Sequence, residues 1–198
     1  MKNLLIVLTV LISSMAQAQS GMENTSVFSK KQKFDNEGVE LYASNTEMKS
    51  YKKLGLGVML GSATGLLAIN GEANLDPYEA LVVGLGAGSG YGTFLVGWKH
   101  NFEAQYLSPY SKVGYSRWFS ASGKEASKSD VLKNVFSEED LKSGSFGGDF
   151  IVGGAGIEYN QLEGDLSGVN FFGEVMMMGE ISKSTFVPTG GVGIIYYY

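Results

Sequence analysis

The sequence predicts an all-β protein, an eight-stranded antiparallel up-and-down transmembrane β-barrel. Beyond residue 51, runs of about ten residues alternate between apolar positions and polar or glycine positions, with turn residues between the runs. The chain has 28 glycines and only 3 prolines, as expected of closely packed strands and turns. Its last segment alternates so that one face is wholly apolar or aromatic: Val192, Ile194, Tyr196 and Tyr198.

The first 18 residues have the pattern of a secretory signal peptide. Lys2 precedes an apolar run from Leu4 to Ile12, and Ala16-Gln17-Ala18 is a small-x-small cleavage site. The apolar run is too short to cross a bilayer as a helix. We therefore expect the mature chain to begin at Gln19.

Composition excludes several functional classes. The net charge is −5, which argues against nucleic acid as a partner. The chain has no cysteine, which excludes a disulfide scaffold and thiolate metal sites. A single histidine and scattered carboxylates do not make a metal site, so the sequence predicts neither a metal nor another cofactor.

Residues 19–50 form a polar N-terminal segment of mixed charge. We expect it to be flexible or periplasmic and to lead into the first strand. Within it, residues 39–42 fit a linker, a short strand or a helical turn.

Residues 51–198 form the predicted barrel domain. An outer-membrane strand needs about 9–11 residues to cross the bilayer, and bacterial barrels have an even number of strands. The longest connection, residues 121–147, follows the fifth strand, which places it outside the cell if both termini are periplasmic. The eight predicted strands are about 53–62, 66–75, 79–88, 91–102, 110–120, 148–159, 169–180 and 189–198.

The two faces of these strands differ. The rows that contain Leu56, Val83, Val96 and Ile194 are apolar and predicted to face lipid, where a charge at mid-bilayer costs roughly 2–4 kcal/mol. Arg117 and Lys53, both near strand ends, are the charged residues expected on this side. The opposite rows provide a polar network for the interior: Asn70, Glu72, Lys99, Asn101, Lys112, Glu158 and Glu174.

Charges inside a narrow barrel must be paired, because an isolated buried charge is very costly. Lys99 and Lys112 are on adjacent predicted strands, so we expect them to form ion pairs with some of the interior glutamates. A barrel of eight strands encloses little more than its own side chains. The network is therefore expected to plug the barrel rather than to form an ion path.

The long connection has two helix-start signals. Ser129 precedes a short amphipathic run that ends near Phe136, and Ser137 precedes three acidic residues. Its lysines and acids alternate, which indicates a solvated surface that could also contact partners.

The signal peptide, the eight alternating strands and the aromatic C-terminus resemble the small outer-membrane β-barrel family of the OmpA-barrel, OmpX and OmpW kind. The resemblance implies a bacterial outer-membrane location, contacts with membrane lipid and lipopolysaccharide, and a monomer. It also implies that the barrel-assembly machinery recognises the C-terminal strand through Val192, Ile194, Tyr196 and Tyr198. A structural or surface-interaction role without catalysis follows from it.

Three alternatives remain open. A narrow channel for small or apolar solutes would use Met59, Leu66, Met176 and Met178 as an inward lining. A lipid-modifying enzyme would need His100 as a base, but its sequence neighbourhood contains no suitably spaced serine. A soluble, lipocalin-like barrel would reverse the two faces, with apolar residues inside and polar residues outside.

Overall fold

The protein is described by a computed structural model that covers residues 33–121 and 129–198. The predicted signal peptide lies outside these ranges. Within them, eight strands form one closed antiparallel barrel in which each strand pairs with its sequence neighbours and β1 pairs with β8. No helix in the described ranges is long and apolar enough to cross a membrane. The strands are β1 Leu54–Gly61, β2 Leu67–Asn74, β3 Glu79–Gly88, β4 Tyr91–Asn101, β5 Leu107–Ser120, β6 Gly147–Asn160, β7 Val169–Glu180 and β8 Phe186–Tyr197.

The predicted fold class is confirmed, and most predicted strands match to within one or two residues. The clearest differences are at β5 and β8, which begin three residues earlier than predicted. Pro109, predicted to end a turn, lies inside β5. Its carbonyl accepts a hydrogen bond from the Phe102 N–H (3.1 Å), just beyond the end of β4. Because the β4–β5 ladder ends before this point, the missing proline N–H removes none of the bonds of that ladder.

Closure of the barrel depends on the contact between β1 and β8. Their pairing runs from Gly55 opposite Tyr197 to Gly61 opposite Gly191. A Cβ atom on Gly57 would lie 2.2 Å from the Ile194 carbonyl oxygen, so only glycine allows this approach. With both edges paired, no strand edge of the barrel is left open, as a bilayer requires.

The barrel has two unlike ends. The end where β1 begins and β8 finishes, here called the terminal end, has short connections at residues 75–78, 102–106 and 161–168. The opposite end, here called the loop end, has the longest connection, residues 121–146. The two helices predicted in this connection are present as α2 (Asp130–Val135) and α3 (Glu138–Ser143). They follow a first helix, described next, that lies at the terminal end. Ser129 and Ser137 are their N-caps, and each hydroxyl accepts a backbone N–H three residues later.

A third helix, α1 (Asn45–Tyr51), lies at the terminal end and begins at the N-cap Ser44. Sequence alone predicts a flexible segment here, and this helix was missed. Its Met48 and Lys49 side chains are completely buried against the barrel. The one local signal is the spacing of Ser44 and Glu47, which matches a capping box. With no long apolar stripe in residues 19–50, nothing in the sequence shows that this helix has a barrel to pack against.

The interior is polar towards the terminal end and apolar towards the loop end. In the apolar half, Trp118, Phe150 and Met178 are buried together with Leu132 of α2 and Phe136, which directly follows this helix. The polar half contains the predicted network.

Candidate functional site

All seven residues of the predicted interior network are buried. Lys99 on β4 lies 3.1 Å from Glu72 Oε2 on β2 and 2.7 Å from Glu158 Oε2 on β6. Its Nζ atom also lies 4.4 Å from the ring centre of Tyr110. Strand alternation aims these side chains inward, and closure of the barrel brings together strands that are distant in sequence.

Lys49 adds a third lysine that sequence reasoning missed. From α1 it extends into the barrel and donates to Asn101 Oδ1 (2.7 Å) and Glu158 Oε1 (2.6 Å). It also lies 3.7 Å from Glu72 Oε1. One lysine from outside the barrel wall therefore contacts both glutamates that Lys99 contacts.

Lys112 belongs to a second group. Its Nζ atom lies 2.5 Å from Glu174 Oε2, which also accepts from the Tyr110 hydroxyl (3.0 Å). The other oxygen of Glu174 accepts from the Ser62 hydroxyl, which enters from the loop end. The pairing expected of Lys99 and Lys112 is thus present, and with Lys49 three lysines face three glutamates.

The space left in the interior is small. A cavity of about 20 Å³ lies between the two groups, with Asn70, Lys99 and Lys112 in its lining. Such a volume holds about one water molecule. The interior at this level is therefore filled by side chains.

The loop end is closed by the chain itself. Residues 62–64 form a 3₁₀ turn that folds into the mouth, where the Ala63 carbonyl accepts from Ser116 Oγ (2.7 Å) and Trp118 Nε1 (3.1 Å). Val131 and Leu132 of α2 pack in one apolar cluster with Ala63 of this turn. The last carbonyl of α2, that of Val135, accepts a hydrogen bond from Lys183 Nζ (2.6 Å).

The expected contrast between the two faces holds. Leu56 and Val83 are about half exposed on the outer wall, whereas Glu72 and Glu174 are only 6 % exposed inside. A soluble lipocalin-like barrel would have the reverse arrangement. Leu66, expected inside, is 63 % exposed, because Gly65 has a φ of +89° and the turn it forms interrupts the alternation before β2 begins.

Charged residues on the outer wall are confined to strand ends, but they are more numerous than predicted. Arg117 is exposed, as expected, and pairs with Asp149 at 3.0 Å near the loop end. Glu79 and His100 lie on the outer wall at the terminal end. Sequence reasoning overlooked Asp149 and Glu79, which lie within the first three residues of β6 and β3, close to the preceding turns.

No group of three His, Cys, Asp or Glu side chains in residues 33–121 and 129–198 is arranged to hold a metal ion.

The sequence matches no protein-family model and no curated protein. The structure is similar to the N-terminal β-barrel domain of Pseudomonas aeruginosa OprF, with a TM-score of 0.51 and 13 % sequence identity over 73 % of this chain and 98 % of that one. The chain has the fold of a small outer-membrane β-barrel. The outer membrane protein Ail of Yersinia pestis, solved in a phospholipid bilayer nanodisc, is also matched, at a TM-score of 0.40 and 11 % identity over 74 % of this chain and 99 % of that one.

One constellation on the outer wall of this outer-membrane barrel fold was missed. Glu79 on β3 is opposite His100 on β4, and His100 is opposite Ser111 on β5. Glu79 Oε1 lies 2.6 Å from His100 Nδ1, and its other oxygen accepts from the Trp98 indole N–H. Sequence spacing hides this row, because the three residues come together only through the pairing of adjacent strands.

Proposed function

We propose that this protein is an integral barrel of the bacterial outer membrane with a structural or surface-interaction role. The observation that carries the proposal is the filled interior: ion pairs occupy the terminal half, and side chains of the mouth and of α2 occupy the loop half. The apolar outer wall supports the membrane assignment, because exposed apolar surface on this scale is unfavourable in water.

Several features of the role depend on the orientation in the membrane. We propose that both termini are periplasmic, that α2 and α3 face outward, and that the loop end contacts lipopolysaccharide or surface partners. The longest connection, residues 121–146, lies at the loop end, which supports this orientation. We also propose that the chain inserts as a monomer. The assembly machinery would recognise the C-terminal strand through Val192, Ile194, Tyr196 and Tyr198.

Planar-bilayer recording of the purified full chain tests the sealed interior. We expect no steady single-channel current, because three glutamates and three lysines are paired inside the barrel. Large, stable conductance steps would contradict the proposal and favour the narrow-channel alternative. Fractionation, followed by gel electrophoresis of heated and unheated samples, tests the membrane location independently.

A further inference from the structure

Four side chains of the barrel wall surround one ammonium group near the terminal end. That group is Lys49 Nζ, which lies 2.6 Å from Glu158 Oε1 and 2.7 Å from Asn101 Oδ1. Glu72 Oε1 lies at 3.7 Å, and the ring centre of Tyr197 at 5.3 Å, within the range of a cation–π contact. These four partners, here called the terminal pocket, belong to four strands of the barrel, whereas Lys49 comes from α1.

The terminal pocket has a net negative charge of its own. Glu72 and Glu158 are 6 % and 1 % exposed, and within the described part of the chain Lys99 is the other lysine paired with them. Two buried carboxylates and one ammonium leave one negative charge uncompensated when Lys49 is absent. A buried charge of this kind is very costly, so the pocket attracts a cation. A cation with several N–H donors satisfies the carboxylates and Asn101 together.

The same end of the barrel contains buried polar atoms that α1 leaves without a partner. Asn74 Oδ1, Asn170 Oδ1 and Ser167 Oγ are buried and form no hydrogen bond with the described residues. Asn74 ends β2 and Asn170 is the second residue of β7, which places both at the terminal end. Buried polar groups are normally satisfied by protein, water or a ligand. This end therefore has more hydrogen-bonding capacity than α1 uses.

The helix that fills the pocket is a separable element. At seven residues, α1 is too short to be stable as an isolated helix. Its first turn is held by Asn45, which forms three hydrogen bonds with Phe102 and Ala104. The ladders that β1 forms with β2 and β8 begin after α1, at Leu54 and Gly55. Local opening of a short peripheral element costs less than global unfolding, so α1 can leave the pocket while the barrel stays closed.

We propose that the terminal pocket is a binding site for a linear primary alkylammonium ion, and that Lys49 on α1 is its built-in competitor. The ammonium group of the ligand takes the position of Lys49 Nζ, and its chain takes the path of the four-carbon lysine stem.

The proposal goes beyond the structural role and requires no passage through the barrel, because the ligand enters and leaves at the terminal end. A steady ion current would contradict the sealed interior without bearing on this pocket. Absence of amine binding would leave the sealed interior untouched.

Chemical rescue of a truncated lysine tests the pocket. Lys49→Ala removes the stem beyond Cβ together with the ammonium, which matches one n-propylammonium ion. The folded full-length variant in lipid vesicles is titrated with urea in n-propylammonium chloride and, at equal concentration, in sodium chloride. We expect the amine at about ten times its Kd to lower the unfolding equilibrium constant about elevenfold by mass action. Tetramethylammonium, which has no N–H donor, should have no such effect.

The matched control is Lys49→Ala combined with Glu158→Gln. This double variant keeps the space left by the lysine but removes the carboxylate nearest to its ammonium, so we expect the rescue to be lost. The proposal is overturned if n-propylammonium does not stabilise Lys49→Ala, if tetramethylammonium stabilises it equally, or if the double variant is rescued to the same extent.

The parent chain provides a second test, which decides if Lys49→Ala fails to fold. A bound amine and α1 exclude each other, and a tethered competitor has an effective concentration in the millimolar range. We therefore expect n-butylammonium at about 100 mM to accelerate amide hydrogen exchange in α1 about threefold relative to sodium chloride. Exchange in α2 and α3, at the loop end, should not change. Equal exchange of α1 in the two salts would overturn the proposal, because Lys49 would then be a permanent occupant.

Discussion

Lys49 Nζ lies 2.6 Å from Glu158 Oε1, although the two residues are 109 positions apart and lie on α1 and β6. This ion pair makes the N-terminal helix part of the barrel interior. Without it, Glu72 and Glu158 would share Lys99 alone, which leaves one buried carboxylate without a full counter-charge.

We expect Lys49→Met to lower the free energy of unfolding by about 3–5 kcal/mol, because removal of one member leaves its buried partner uncompensated. Urea titration in lipid vesicles, followed by tryptophan fluorescence, measures the change. Lys33→Met is the matched control: its pair with Glu47 is exposed to solvent, so its loss should change the stability far less than the loss of Lys49. Equal losses in the two variants would contradict the central role of Lys49.

The pair of Lys112 and Glu174 allows a double-mutant cycle. Lys112→Leu and Glu174→Leu should each cost about 3–5 kcal/mol, whereas the double variant should recover much of the loss, since no lone charge remains buried. The same titration gives the coupling energy. Additive losses would show that the two side chains contribute separately, through Tyr110 and Ser62.

The seam between β1 and β8 provides a third prediction. Gly57→Ala should greatly reduce the fraction of chain that shows the gel mobility of a folded barrel, because the new Cβ would overlap the Ile194 carbonyl. Gly153→Ala is its control, since a Cβ there meets nothing within 4 Å. Normal folding of Gly57→Ala would mean that the two strands can shift apart without loss of closure.

The α1 cap should weaken in acid. The Ala43 N–H, followed by the Lys33 ammonium, holds the pKa of Glu47 below its ordinary value of 4.5. A lowered folded pKa gives stabilisation that is fully present above the unfolded pKa and is lost as the pH falls through the folded value. Amide hydrogen exchange of α1, corrected for the intrinsic effect of pH, should therefore accelerate below about pH 4.5.

Glu47→Gln provides the control for this pH effect. The uncharged amide does not titrate, so the difference between the parent and the variant isolates the contribution of Glu47 from that of other acidic groups. An identical pH profile in the two proteins would show that the cap does not depend on this carboxylate.

The sequence by itself determined the fold class, the number of strands and the side of the wall on which most residues lie. These properties follow from local period-two alternation, since each strand must match lipid on one face and a narrow interior on the other. The helix starts at Ser129 and Ser137 were equally local, because an N-cap bonds to an amide three residues away.

Only the tertiary structure decided which charges meet. Glu72, Lys99 and Glu158 are predictable as inward residues, but their contacts depend on barrel closure, and Lys49 reaches them from a segment with no membrane-strand pattern. The position of Ser111 opposite His100 likewise depends on the register of β4 and β5. A side-chain period is encoded within each strand, whereas register and closure arise from the summed pairing of all eight strands, which no local pattern contains.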